Sequence, residues 1–187
     1  MKLVIGIGGS SGAIYSHLFL NEIEKKIGAG WKVDIVFSAN AKTNWQLESA
    51  DKWGISNKFG VFDNYDFFAP FASGSAKYDA MVIIPCSMGL LGRIAGGISN
   101  DLLSRAADVM LKERRKLILV PRETPYNLIH LRNMVQLTEA GAIICQASPS
   151  FYQHPQTIEH LALTVVHRVM DLLGIANDSL RWGTEKL

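Results

Sequence analysis

Cysteine is scarce in this chain, and neither sign of charge dominates. Only Cys86 and Cys145 occur among 187 residues, each inside an apolar stretch. With no secretion signal they read as the reduced thiols of a cytoplasmic protein rather than as a disulfide framework. Lys and Arg number 19 and Asp and Glu 17, a net charge of +2, too even for a nucleic-acid binder. No run approaches the roughly 18 apolar residues of a membrane helix, so no membrane insertion is expected. The first apolar run, Leu3–Ile7, is broken by glycines too early to be the core of a signal peptide. No repeat, low-complexity tract or interdomain linker interrupts the chain. The Gly-x-x-x-x-Gly-Lys-Ser/Thr loop of ATP and GTP enzymes is absent. No Cys, His and carboxylate cluster has metal spacing; His154, His160 and His167 suit surface or core positions better than a metal site, and no metal is expected.

What the chain does have is apolar bulk, 48% of its residues, enough for one sizeable core in a single domain over 1–187. Strand-like and helix-like stretches alternate. Buried-strand runs stand at Leu3–Ile7, Val33–Phe37, Ala80–Ile84 and Lys116–Val120, with a short one at Ala142–Ile144. Helical stretches fall after Gly12 (with Ile14, Leu18, Ile23 and Ile27 near one face), after Ser38, and over about Met88–Gly96, Leu102–Glu113, Leu128–Ala140 and Ile158–Leu173. Residues 51–77 are aromatic and rich in Gly and Ser, with no clean period. Such alternation predicts an α/β fold, a doubly wound parallel sheet covered by helices on both faces.

Ligands in such folds sit beyond the carboxyl ends of the strands, near the point where strand order reverses. The segments just past the four best strands are Gly9-Ser10-Ser11, Ser38, Ser87-Met88-Gly89 and Arg122-Glu123. Taken singly, Ser11, Ser38 and Ser87 are ordinary helix N-caps. Their recurrence at one end of the sheet, joined by an Arg, describes a phosphate site. A dinucleotide fingerprint needs a third glycine where Ser11 stands and an acidic residue where the second strand ends in Ser38. Asp34 lies too early in its strand to reach a ribose. A mononucleotide therefore fits better than NAD.

Arg105 and Lys112 are two helical turns apart and point the same way; Arg105 is followed by an apolar stretch unusual around a merely solvated charge. Here the chain resembles the UbiX-type flavin prenyltransferases, formerly called phenylacrylic acid or 3-octaprenyl-4-hydroxybenzoate decarboxylases. The resemblance runs through Ser104–Pro125, Ile129–Met134, Gly141–Ile143, Pro149–Pro155 and Arg181–Gly183, and upstream through Gly9–Ala13, Glu48, Ala72–Ser75 and Pro85–Met88.

It implies a flavodoxin-like three-layer αβα fold and a homo-oligomer, commonly a dodecamer, with an FMN site at a subunit interface. It implies transfer of the dimethylallyl group of dimethylallyl phosphate to N5 and C6 of reduced FMN. The prenylated FMN serves a partner decarboxylase, as in ubiquinone synthesis. Carried over by motif, Gly9, Ser10, Ser11, Ser38, Ser87, Met88, Gly89, Leu90 and Arg122 match flavin-binding positions. Arg105, Lys112, Glu123, Tyr152 and Arg168 match positions around the prenyl phosphate, Glu48 an acid–base residue, and Ser11 a residue beside the reacting flavin. Trp182, Tyr152 and Phe67 offer π faces to an allylic cation.

Two departures stand out. Gly89 and Leu90 replace the basic residue and Thr of many relatives, and Ser10 stands where Ala is usual. Among rivals, a cysteine decarboxylase of the same superfamily carries a Pro-x-Met-Asn segment that this chain lacks, and His17 reads as a plain helix residue. A flavodoxin-like electron carrier would leave Arg105, Lys112 and Arg168 without a role.

Overall fold

Parallel strands need a long crossover connection, usually a helix, and the chain supplies at least one α-helix between every two successive strands except β3 and β4. In the computed structural model, which describes residues 1–50, 52–179 and 183, the order is β1 (Lys2–Ile7), α1 (Ala13–Lys26), β2 (Lys32–Phe37), α2 (Ala39–Ser49), β3 (Gly60–Phe62), β4 (Ala80–Cys86), α3 (Met88–Ala95), α4 (Leu102–Lys112), β5 (Lys116–Pro121), α5 (Leu128–Glu139), β6 (Ile143–Ile144) and α6 (Ile158–Leu173). The six strands form one parallel sheet in the order β3-β2-β1-β4-β5-β6. The direction of winding reverses between β1 and β4, which fixes the switch point there.

The strands alternate between two cores. Leu3, Ile5 and Ile7 of β1 join Val82 and Ile84 of β4 beneath α1, α2 and α6. Val4, Met81 and Ile83 face the other way, against α3, α4 and α5. Gly6 permits the second layer to close: a Cβ there would stand 2.6 Å from the Leu103 side chain of α4. Each fully buried Ile or Leu contributes about 1.5–3 kcal/mol by leaving water, so this double-sided packing is what anchors the strand ends.

The sequence expectations hold for the four long strands and for α6. The expected face of α1 holds at Ile23, fully buried, and at Leu18 and Ile27, which pack partly buried against the same core, but not at Ile14. Ile14 and Leu18 are only half-buried, and Ala13, Ser16, Phe19, Leu20, Glu22 and Ile23 face inward. The apolar pattern missed this because Ser16 is buried by virtue of a 2.6 Å bond to the Ile84 carbonyl. Residues 51–77, without a period, contain the three-residue edge strand β3 and two 3-10 turns at Pro70–Ala72 and Gly74–Ala76. No helix among the described residues is long and apolar enough to cross a membrane.

Candidate functional site

At the carboxyl ends of β1, β2 and β4 lies a cavity of about 470 Å³. Of the residues singled out in the sequence, Gly9, Ser38, Ser87, Gly89 and Leu90 line it and Ser10, Ser11, Met88 and Arg122 do not; Ala39, Asn40, Asn64, Tyr65, Arg93 and Asp101 complete the wall. Ser38 caps α2 by accepting from Ala41 N at 3.1 Å, and Ser87 caps α3 by accepting from Leu90 N at 3.3 Å. The cap role and the site role therefore coexist. Each hydroxyl fixes a helix start, and the first-turn amides that helix geometry leaves unbonded converge at the cavity. Met88 is buried in the second core, so its part in any site is confined to its backbone.

The loop after β1 is held from three sides. Gly8 sits so close to β4 that a Cβ would be 2.5 Å from the Pro85 carbonyl. Asn44 Nδ2 donates to Gly9 O at 3.0 Å, and Arg122 Nε donates to Ser11 O at 2.8 Å. The Glu48 carboxylate accepts from Ala13 N at 2.7 Å and from Gly12 N at 2.9 Å. A carboxylate is already seated on the N-terminus of α1, where the helix dipole favours it. The amides left to receive an external anion are thus those of α2 and α3. Ser10 is buried, and its hydroxyl has no hydrogen-bond partner among the described residues. Such an orphan costs about 1–3 kcal/mol unless a ligand supplies the partner. Two capped helix starts opening on one cavity fit a phosphorylated mononucleotide.

Asp34 is buried in β2 and accepts from the Tyr78 hydroxyl, which keeps it from any ribose. Asp101 caps α4 in a reciprocal bond pair with Ser104. Burial opposes its charge, but Ser104 and Arg93 outweigh burial and hold the carboxyl below its ordinary value. Burial pushes the Tyr15 hydroxyl up, against the nearby Arg122 charge.

The remaining basic residues form two other groups. Arg105 donates to Ala72 O at 3.0 Å and pairs with Asp108 at 3.1 Å; Lys112 pairs with Glu113 at 3.0 Å. Arg115 reaches Gly74 O at 2.8 Å, so all three gather around the 3-10 turns. Arg105 and Lys112 do share a side of α4, but not the cavity. Eleven helical residues rise about 16 Å, which puts Lys112 out of reach of the wall formed by Asp101.

Tyr152 is exposed in a second opening of about 680 Å³ with Pro149, Ser150, Phe151 and His154. Ser150 N donates to Thr164 Oγ1 at 3.1 Å, one turn before Arg168 on α6, so the loop and Arg168 belong to one group. Burial raises the Cys145 thiol, opposed by the Arg168 charge. Glu123 accepts from Thr124 N at 3.0 Å and has no ion pair with Arg122 among the described residues. Trp182 lies outside the described residues. His17 sits in α1 stacked on Trp53, with ring centroids 4.5 Å apart. Among the described residues no three His, Cys, Asp or Glu side chains are placed to hold a metal.

The family model described as Flavoprotein matches residues 1–172. The protein named flavin prenyltransferase UbiX of Pseudomonas aeruginosa is 53% identical, with 100% of this chain and 96% of that protein covered. A solved dodecameric FMN-dependent UbiX-like decarboxylase from Escherichia coli O157:H7 superposes with a TM-score of 0.89 at 37% identity, covering 97% of this chain and 99% of that one. The solved structure of AnUbiX (PadA1) in complex with FMN and dimethylallyl pyrophosphate gives a TM-score of 0.89 at 35% identity, covering 99% and 98%.

Proposed function

The chain belongs to the flavin prenyltransferase family, and we propose that it transfers a dimethylallyl group from dimethylallyl phosphate to reduced FMN. The observation that carries the reading is the cavity at the strand ends where Gly9, the Ser38-capped start of α2 and the Ser87-capped start of α3 come together.

Reduced FMN, as the acceptor, supplies N5 and C6 for bonding. The C–O bond of the donor breaks with its electron pair going to phosphate. Phosphate and the prenyl double bond take up the two protons that N5 and C6 give up. Ser10, Ser38, Ser87 and the amides of Met88 and Gly89 hold the flavin beside Leu90, with Gly9 and Ser11 in the loop that Arg122 fixes. Arg105, Lys112 and Arg168 stabilise the charge that gathers on departing phosphate, the kind of preorganised stabilisation that lowers such barriers most. Tyr152 flanks the allylic group. Glu123 hands phosphate its proton, and Glu48 serves as the second proton carrier from its seat on α1.

Lys112 cannot reach the cavity of its own chain, so it acts on the cavity of another copy. The site is completed by oligomerisation, and a dodecamer like that of the Escherichia coli relative suits it. The product passes to a decarboxylase that uses prenylated FMN, in ubiquinone or aromatic-acid metabolism, in the cytoplasm. Release of inorganic phosphate from dimethylallyl phosphate tests the reading. Release is expected only when reduced FMN is present; release at the same rate without flavin would refute it.

A further inference from the structure

Asp101 is an awkward neighbour for a phosphate. Its side chain is 8% exposed, it forms part of the cavity wall, and its capping bonds keep it ionised. A fixed carboxylate in a cavity that receives an anion repels the ligand unless something cancels it. Arg93, on α3, supplies the cancelling charge. Its Nη1 donates to Asp101 Oδ2 and to Asn100 Oδ1, each at 2.7 Å. Its Nε and Nη2 have no partner among the described residues, and the side chain lines the same cavity. Gly89, one turn earlier on α3, also lines the cavity, and a Cβ there would meet nothing within 4 Å. The α1 amides are occupied by Glu48, which leaves the anion beside α2 and α3, on the Arg93 side.

We infer that Arg93 is a further binding residue for the flavin phosphate, neutralising Asp101 with one nitrogen and offering its remaining donors to the ligand, so that the site selects FMN over the phosphate-free riboflavin. The inference rests on the reading of the cavity as a flavin site. Sequence patterning passes over Arg93 because a basic residue in the last turn of a helix is ordinary and its partner is eight positions away across a loop.

Titration of the intact oligomer with FMN and with riboflavin, followed by flavin fluorescence, tests it. Arg93→Gln should weaken FMN by about 10- to 100-fold, the range for losing a charge-assisted bond, and leave riboflavin nearly unchanged. Adding Asp101→Asn, which keeps an N-cap side chain, should recover part of the FMN loss by removing the uncompensated carboxylate. Should Arg93→Gln fail to fold, the double variant carries the test, and it must still show a lower FMN-to-riboflavin preference than the wild type. Equal losses for both flavins, an unchanged preference, or no recovery on adding Asp101→Asn would overturn the inference while leaving the flavin site standing. Wild-type protein that binds neither flavin would overturn the flavin reading itself, and the inference with it.

Discussion

Arg122 and Ser11 lie 111 positions apart, yet the guanidinium Nε of one donates to the carbonyl of the other at 2.8 Å. The bond ties the loop after β1 to the end of β5 across the switch point. Arg122→Met removes it while keeping an unbranched apolar stem. Faster amide exchange at Gly12 and Ala13 is expected, with FMN affinity lowered by about tenfold or more, the worth of one charge-assisted bond. Exchange rates and affinity equal to wild type would show that the loop holds itself.

Glu48 is first of all an anchor, whatever proton it also carries. Its carboxylate satisfies the amides of Gly12, the N-cap of α1, and Ala13, its first residue, so Glu48→Ala should cost about 1–2 kcal/mol by analogy with a lost N-cap. Glu48→Gln retains one acceptor oxygen and should cost less. Urea unfolding of both variants measures the difference, and equal losses would contradict the capping account. A fall in turnover for Glu48→Gln beyond its loss of FMN affinity is the sign of the proton role.

His17 gives the protein an acid-sensitive element. Burial lowers its pKa below the ordinary value, because the ring is stacked on Trp53 with 4° between planes and edge-on to Trp45. The unfolded chain, titrating near 6.5, then binds the proton more readily than the folded one. Stability is fully present above the unfolded value and falls as pH drops through it toward the lower folded value. His17→Phe keeps an aromatic ring on Trp53 and should flatten the pH dependence of the melting temperature between neutral pH and about pH 5. An unchanged slope would place the sensitivity elsewhere.

Lys112 and the cavity are expected to meet only between copies. Lys112→Ala should slow turnover on the order of 10²-fold with FMN affinity nearly intact. Gly89→Trp should fill the cavity and abolish flavin binding. Co-expressed, the two variants should form mixed oligomers that regain activity, since an intact cavity on one copy can receive Lys112 from another. Mixed oligomers as inactive as their parents would rule out a shared site.

The legible and illegible parts of this molecule divide along physical lines. β1, β4 and α6 were plain because buried strands and amphipathic helices carry their burial in their own sequence. Ser38 and Ser87 were legible because strand ends in a parallel sheet share one edge. Asn64, Tyr65 and Asp101 were not, since only tertiary packing brings them to the cavity, Asn64 and Tyr65 out of a stretch with no period. Glu48 was assigned by resemblance alone; its seat on α1, 35 residues upstream, has no local signature. Glu123 and Arg122 are adjacent in sequence, but they bond apart, to Thr124 N and to Ser11 O.

Mass spectrometry of the flavin released after anaerobic incubation with reduced FMN and dimethylallyl phosphate tests the central claim most directly. The account predicts a flavin heavier than FMN by one five-carbon prenyl unit, formed by the wild type and scarcely by Glu123→Gln, which should still fold and bind FMN. Recovery of unmodified FMN alone from wild-type protein with both substrates bound would contradict it.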